Sequence, residues 1–169
     1  MLTLVRHAKT EFNNNKLFQG QLDINLSELG INETYEKSKE FPQDFDICFC
    51  SPLKRTTQTA EILVPYLKLN FDERLKERNL GDWQGTKITD EKLEQLNNNA
   101  VPPNGEKICE IDKRVSDFLN MVKENYKDKN VLVITHAGVI HSVRRILSND
   151  VESAEHLELI NLYRALHKK

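Results

Sequence analysis

The chain alternates between short, continuously hydrophobic runs and longer runs in which hydrophobic residues recur with helical spacing. The short runs, at residues 2–5, 45–51 and 130–136, are rich in branched, aromatic or cysteine residues and predict buried strands. The clearest helical run spans 108–126, where residues three and four apart form one apolar stripe: Ile108, Ile111, Val115, Phe118, Leu119 and Val122. Strands that alternate with helices favour an α/β fold around a largely parallel sheet.

Three further helices and two other segments complete the pattern. Helices are predicted over residues 27–42 and about 54–66, and another is predicted to follow His136. The polar segment 11–25 predicts an irregular loop, because it contains three consecutive asparagines and a glycine. The C-terminal segment 157–166 fits either a last strand or a helix.

Composition limits the size of the fold and its partners. A chain of 169 residues, with 38% hydrophobic and 30% charged residues, suits one globular domain over residues 1–169. Its net charge of -2 gives no overall attraction to nucleic acid or to a membrane surface, so any anion site must be local. No hydrophobic run approaches the roughly 20 residues of a membrane-spanning helix, and Met1 leads directly into a strand. We therefore expect a cytoplasmic protein with its three cysteines reduced.

Candidate chemistry lies where the three predicted strands end. The first strand is followed by Arg6 and His7, the second by Ser51 and then Arg55, and the third ends at His136. Because ligands of open α/β sheets bind beyond the carboxyl ends of the strands, these side chains are expected at one rim. A guanidinium group can hold phosphate oxygens in a planar fork, and an imidazole can accept a phosphoryl group as a nucleophile. The pattern therefore predicts a phosphate site.

A phosphoryl-transfer site also needs an acid, since the departing alkoxide must be protonated. The segment LKERNLGDWQG, residues 75–85, places Glu77 just after a short apolar run and before a tight turn between two glycines. Position favours Glu77, although the residues alone do not separate it from Glu73 or Asp82.

These residues lie within motifs that resemble, in order, those of the histidine phosphatase superfamily, the phosphoglycerate-mutase-like proteins. The motifs are RHAKTEFN (6–13), QGQLDINLSELG (19–30), SPLKRTTQTA (51–60), LKERNLGDWQG (75–85), PPNGE (102–106) and VITHAGVIHSV (133–143). The sequences of these motifs most resemble those of small α-ribazole-phosphatase-like and broad-specificity phosphatases. The resemblance implies a three-layer α/β/α sandwich with a mostly parallel central sheet, and a single histidine phosphatase domain over residues 1–169.

The resemblance also implies a role for each candidate residue. His7 would attack phosphorus, and Glu77 would protonate the departing oxygen. Arg6, Arg55 and a protonated His136 would stabilise the phosphate oxygens. Further groups would complete the phosphate pocket, namely Asn13, Gln19 and the backbone at Gly20 and Ala137. No metal and no cofactor are expected.

Three residues depart from the family motifs. Ala8 and Ala137 stand where the family has glycine, which adds a methyl group where the backbone comes close to phosphate. Lys9 stands in place of an acidic residue. Alanine is a small replacement for glycine, so we expect activity to be retained.

The predicted activity is hydrolysis of small phosphomonoesters through a phosphohistidine on His7, with α-ribazole 5′-phosphate as one candidate substrate. The segment between Gly85 and Gly105 supports hydrolysis because it is short and contains Lys87 and Lys92 but no arginine. A short, weakly basic segment over the site would admit water to the phosphoenzyme.

Three alternatives remain open from the sequence. Phosphoglycerate mutase comes first, because the pair Glu77-Arg78 also occurs in mutases. A phosphohistidine protein phosphatase and a non-catalytic module that binds phosphorylated ligands come next. The expected partner is a small phosphorylated metabolite, and the expected assembly is a monomer or a homodimer.

Overall fold

A computed structural model describes residues 1–148 and 155–161 of the chain. The strands in these residues are β1 (Leu2–Arg6), β2 (Ile47–Cys50), β3 (Leu69–Phe71), β4 (Val131–Thr135) and β5 (Leu159–Asn161). The α-helices are α1 (Glu11–Asn14), α2 (Glu28–Ser38), α3 (Lys54–Leu63), α4 (Asp90–Asn97), α5 (Ile108–Asn125) and α6 (Ala137–Ser148). Two short 3-10 turns, Glu73–Leu75 and Gly81–Trp83, lie between β3 and α4.

The described strands form one sheet in the order β3-β2-β4-β1-β5. The first four are parallel to one another, and β5 runs antiparallel to β1 at the edge. Every residue of the central strand β4 is buried, as expected for a parallel strand covered by helices on both faces. The predicted α/β fold with a mostly parallel central sheet is therefore confirmed.

Alternate residues of β1, β2 and β4 face two separate hydrophobic cores. Val131 and Val133 of β4 pack with the apolar stripe of α5 and with α6 on one face of the sheet. Leu132 and Ile134 pack on the other face with residues of α3, and Ile31 of α2 joins that core at its border. Because side chains alternate across a strand, one hydrophobic strand can serve both cores. The structure thus has the three layers α/β/α that the sequence predicts.

Three predicted boundaries differ from the structure. The helix expected over 27–42 is α2, which ends at Ser38 and is followed by a turn before Pro42. The segment 11–25 was expected to be an irregular loop, but it begins with the one-turn helix α1. Thr10 starts this helix because its hydroxyl accepts from the Asn13 backbone N–H, while the Asn13 side chain accepts from the Thr10 backbone. The helix expected over 54–66 ends earlier, at Leu63, since Val64 leaves the helical conformation before Pro65.

Two elements were not predicted, and one ambiguous segment is now partly assigned. The three-residue strand β3 is too short to give a clear pattern, and α4 contains few hydrophobic residues. Within the segment 157–166, residues Leu159–Asn161 form β5, and residues 162–166 lie outside the described residues.

Cys48 and Cys50 of β2 are buried free thiols, and Cys109 is an exposed one. Burial raises the pKa of the Cys48 thiol to about 12, so this thiol stays protonated and unreactive at neutral pH. None of the helices in the described residues is long and hydrophobic enough to cross a membrane.

Candidate active site

The carboxyl ends of β1, β4 and β2 bring the candidate residues to one edge of the sheet. Arg6 pairs with Thr135 at the last position of the β1–β4 ladder, so the next residues, His7 and His136, leave the sheet side by side. The His7 backbone N–H donates to the Thr135 carbonyl (2.9 Å), and the two imidazole ring centroids lie 5.2 Å apart. Ser51 joins them, since its N–H donates to the Ile134 carbonyl.

The His7 side chain is held in the form that a nucleophile requires. Its Nδ1 lies 2.7 Å from the Ala8 carbonyl oxygen, which can only accept, so Nδ1 carries the proton and Nε2 keeps its lone pair. The residue is 2% exposed. Burial, and then the positive charges of Arg55 and Arg6, hold the His7 pKa well below its usual value. The ring is therefore neutral and nucleophilic at neutral pH.

His136 is also neutral in this structure, whereas the sequence analysis expects a protonated ring. Burial lowers its pKa well below the usual value, and the neighbouring Arg55 and His7 lower it further. Its Nε2 lies 2.8 Å from the Ser51 hydroxyl, and its Nδ1 has no hydrogen-bond partner among the described residues. The difference has a simple cause: burial and the positive charge of Arg55 both disfavour a charged imidazole.

The two arginines lie at different depths. Arg6 is partly buried and lines a cavity together with His7. Arg55 is fully buried behind it, and its two terminal nitrogens donate to the carbonyls of Leu22 and Gly20, each at 2.7 Å. Burial lowers the Arg55 pKa to about 10, so the guanidinium stays charged at neutral pH. Its Nε is buried without a partner in the described part of the chain.

The remaining predicted phosphate-binding residues are placed as follows. Asn13 and Gln19 line the cavity, although the Asn13 oxygen accepts from the Thr10 backbone and hydroxyl. The Gln19 side-chain oxygen is buried and has no partner among residues 1–148 and 155–161. Gly20 lines the cavity and has a positive φ of 49°. Ala137 begins α6, and its neighbour Gly138 is the residue that lines the cavity.

Glu77 lines the same cavity as Arg6 and His7. Its carboxylate accepts from the Gly138 N–H (3.0 Å to Oε1) at the start of α6, and from the Arg78 N–H (2.8 Å). The Glu77 carboxylate lies so close to the Gly138 backbone that a Cβ on Gly138 would collide with it.

The other two acids that the sequence left open face elsewhere. Glu73 forms an ion pair with Lys76 and has a side chain that is 74% exposed. Asp82 accepts from the side chain of Asn104. Of these three acids, Glu77 is the one that lines the cavity.

The structure shows the surroundings of each residue that departs from the family motifs. Ala8 is fully buried, and its methyl group packs in the core on the α2–α3 face. Lys9 forms an ion pair of 2.7 Å with Glu33 of α2. Ala137 is only partly buried, so its methyl group has room.

The cavity has a volume of about 390 Å³ and a lining of mixed chemistry. Its polar lining comprises Arg6, His7, Asn13, Gln19, Glu77, Arg78, Asn97, Asn99, His141 and Arg145. Its apolar lining is Leu17, Phe18, Leu80, Ile88, Leu93, Leu96, Ile108 and Ile111. An arrangement of cations and a nucleophile beside an apolar wall fits a phosphate ester with a small organic group.

The sequence profile of one protein family covers nearly the whole chain. It is that of the histidine phosphatase superfamily (branch 1), and it matches residues 2–164. The chain belongs to this superfamily. Its relatives are phosphatases or mutases, so the resemblance noted from the sequence motifs is confirmed.

Two protein relatives and one solved structure illustrate the relationship. An uncharacterized phosphatase, PhoE, of Bacillus subtilis is 35% identical over 162 residues, covering 94% of this chain and 82% of the relative. A putative phosphoserine phosphatase 2 of Hydrogenobacter thermophilus is 34% identical over 159 residues, covering 87% and 78%. The structure of a putative alpha-ribazole-5′-P phosphatase from Escherichia coli superposes with a TM-score of 0.76 at 26% identity, covering 87% and 79%.

Two histidines at the site of this family member were not singled out from the sequence. His141 lines the cavity, and its buried Nε2 has no partner within the described residues. Its spacing from Gly138 was a usable signal, because residues three apart share one face of a helix. His156 donates from Nδ1 to the His7 carbonyl (2.8 Å), and its ring lies 5.5 Å from that of His7. No local pattern reveals this contact, which joins residues 149 positions apart.

Proposed function

We propose that this protein is a metal-independent phosphatase that hydrolyses small phosphomonoesters through a phosphohistidine on His7. The observation that carries the proposal is the free lone pair of the neutral His7 Nε2 in a cavity that Arg6 and Glu77 also line. A neutral imidazole can attack phosphorus, and a carboxyl group in the same cavity can reach the departing oxygen.

The reaction proceeds in two steps. In the first step, Nε2 of His7 forms a bond to phosphorus as the ester P–O bond breaks, and Glu77 gives its proton to the departing oxygen. In the second step, a water molecule attacks the phosphorus and Glu77 takes one of its protons. The P–N bond then breaks, which releases inorganic phosphate and restores neutral His7.

The groups around His7 suit the charge that a phosphoryl group brings. Arg6 and Arg55 supply two permanent positive charges, and Arg55 Nε and His136 Nδ1 are buried polar atoms without a partner in the described residues. Leaving such atoms unpaired costs about 1–3 kcal/mol each, and phosphate oxygens would remove that cost. A bound dianion would also raise the His136 pKa, because an opposite charge stabilises the imidazolium.

Hydrolysis is favoured over the mutase reaction by the environment of Arg78. Its Nε donates to the Glu106 carbonyl (2.9 Å) and one terminal nitrogen donates to the Ala100 carbonyl (2.9 Å). The guanidinium is therefore engaged in holding the loop before α5. A mutase must hold the released acid in place for the return transfer, and this arginine, although it lines the cavity, has two of its three nitrogens bound to backbone carbonyls.

The substrate class follows from the apolar part of the cavity. Side chains such as Leu80, Leu96 and Ile108 favour an alcohol with an apolar portion, and Arg145 on the same lining is already paired with Asp112. α-Ribazole 5′-phosphate belongs in the substrate panel because of the similarity to the Escherichia coli structure, and phosphoserine because of the Hydrogenobacter relative.

The test is phosphate release from α-ribazole phosphate, phosphoserine, 3-phosphoglycerate and simple aryl phosphates in the presence of EDTA. Formation of 2-phosphoglycerate is followed in parallel. We expect metal-independent release of phosphate, with apolar esters preferred. Isomer formation without phosphate release would instead identify a mutase, and no reaction with any substrate would favour a binding module.

A further inference from the structure

A single arginine of α5 binds the backbone on which Glu77 is carried. One terminal nitrogen of Arg114 donates to the carbonyls of Arg74 and Lys76, each at 2.6 Å. The other terminal nitrogen donates to the carbonyl of Glu77 itself at 3.1 Å. One guanidinium group therefore contacts three carbonyl oxygens within the four residues that lead to Glu77.

Glu106 holds Arg114 in this position and also binds the chain on the other side of Glu77. Its two carboxylate oxygens accept from Arg114 Nε (2.7 Å) and from an Arg114 terminal nitrogen (2.9 Å). The same carboxylate accepts from the Asn79 N–H (3.1 Å), and the Glu106 N–H donates to the Asn79 carbonyl (2.8 Å). The pair is largely removed from water, with side chains that are 19% and 14% exposed.

The backbone around Glu77 needs such support because residues 76–80 lie between two 3-10 turns and in neither a helix nor a strand. No ladder of backbone hydrogen bonds fixes the position of the carboxyl group. A general acid must lie within hydrogen-bond reach of the departing oxygen, and a displacement of about 1 Å can cost about 100-fold in rate.

We propose that Arg114, held by Glu106, is a positioning residue for the proton donor Glu77. This inference rests on the proposed function, in which Glu77 protonates the leaving group. An arginine suits the task because its rigid fork of donors reaches several acceptors at once, which a lysine ammonium on a flexible chain does not reproduce. Arg114 does not itself line the cavity, and its hydrogen bond to the lining is the one to the Glu77 carbonyl, so its effect on the proton donor passes through the Glu77 backbone.

The experiment compares Arg114→Lys, Glu106→Gln and Glu77→Gln with the wild-type protein on two kinds of ester. An alkyl phosphate has a poor leaving group that needs the acid, whereas a nitrophenyl phosphate has a good one that does not. Arg74→Lys is the matched control, since Arg74 also pairs with an acid, Asp72, and its side chain reaches α5 at the Asp117 carbonyl.

We expect Arg114→Lys to lower kcat on the alkyl ester by about 10- to 100-fold while the rate on the nitrophenyl ester changes little. Glu106→Gln should show the same selectivity to a smaller degree, and the Arg74→Lys control should show none. Combining Arg114→Lys with Glu77→Gln should cost no more on the alkyl ester than Glu77→Gln alone, because both changes remove one function.

The outcomes separate the two proposals. If Glu77→Gln is selective for the alkyl ester but Arg114→Lys slows both esters equally, Arg114 is a structural residue and the positioning role is wrong. If Glu77→Gln slows both esters equally, the assignment of Glu77 as the acid fails, and the role of Arg114 fails with it. Should Arg114→Lys prove insoluble, Glu106→Gln decides, since it keeps the size and one acceptor oxygen of the original side chain.

Discussion

The floor and the wall of the cavity are built from different kinds of structure. The floor, formed by Arg6 and His7 with the fully buried His136 and Arg55 outside the cavity lining, follows directly from the ends of β1 and β4 in a parallel ladder. The wall, residues 76–106, consists of one 3-10 turn, loops and α4, and most of it is partly buried or exposed. The floor is fixed by sheet register, whereas the wall is fixed by side chains that bind backbone carbonyls. In the proposed reaction, binding of phosphate and choice of leaving group are therefore assigned to different parts of the chain.

The largest effect is expected in the floor, from His7→Ala. Removing the nucleophile should lower phosphatase activity on every ester by about 10⁴-fold or more, because the proposed reaction forms its bond to phosphorus at His7 Nε2. Steady-state phosphate release measures the loss, and circular dichroism with thermal unfolding shows that the fold is kept. Activity close to that of the wild type would mean that the reaction does not pass through His7.

The contrast between floor and wall also explains what the sequence could predict. Strand ends are predictable, because a hydrophobic run and the residue after it are adjacent in the chain, and Arg6, His7 and His136 lie where this reasoning places them. The order of the layers follows from the same alternation of strands and helices. The motif resemblance singled out Glu77, which position alone left beside two other acids.

The rest depends on contacts that no local pattern encodes. Helix α4 has few hydrophobic residues, so its place over the cavity comes from tertiary contacts and not from its own periodicity. The hydrogen bonds from Arg114 to backbone carbonyls cannot be predicted from the residue types, because every residue has the same carbonyl group. The neutral state of His136 reflects burial and neighbouring charges, which only coordinates reveal.

The junction between floor and wall can be broken at Gly138. A methyl group there would collide with the Glu77 carboxylate, so Gly138→Ala should displace the acid and slow esters of poor leaving groups by about 100-fold. Ala137→Gly is the matched change one residue earlier and should alter the rate at most by a few-fold. The measurement is kcat on an alkyl and a nitrophenyl ester. Equal rates for Gly138→Ala and the wild type would show that the reaction does not depend on the position of the Glu77 carboxylate beside Gly138.

The two buried, neutral histidines of the site should make the stability of the folded protein decrease in acid. The pKa values of His7 and His136 are lowered well below the value of 6.5 expected in the unfolded chain. The unfolded state therefore binds more protons, and the free energy of unfolding falls as the pH drops below about 6.5. Each histidine contributes a slope of up to about 1.4 kcal/mol per pH unit, which is a factor of about ten in the unfolding constant.

Denaturant unfolding between pH 7.5 and 5.5 tests this dependence in the absence of phosphate. His136→Gln should remove one histidine from the slope, so its stability should vary less with pH than that of the wild type. A wild-type stability that stays flat over this range would show that folding does not lower the pKa values of the two rings.

The smallest effect is expected in the wall, at Leu96 of α4. Its side chain belongs to the apolar lining of the cavity. Leu96→Ala should raise KM for an apolar ester roughly fivefold with little change in kcat, since it removes contact with the leaving group and no step of the chemistry. Leu29→Ala, at an exposed position on α2, is the control. If Leu96→Ala lowered kcat and left KM unchanged, α4 would act on the chemical step. The proposal that the wall contacts the leaving group while the floor carries out the chemistry would then be wrong.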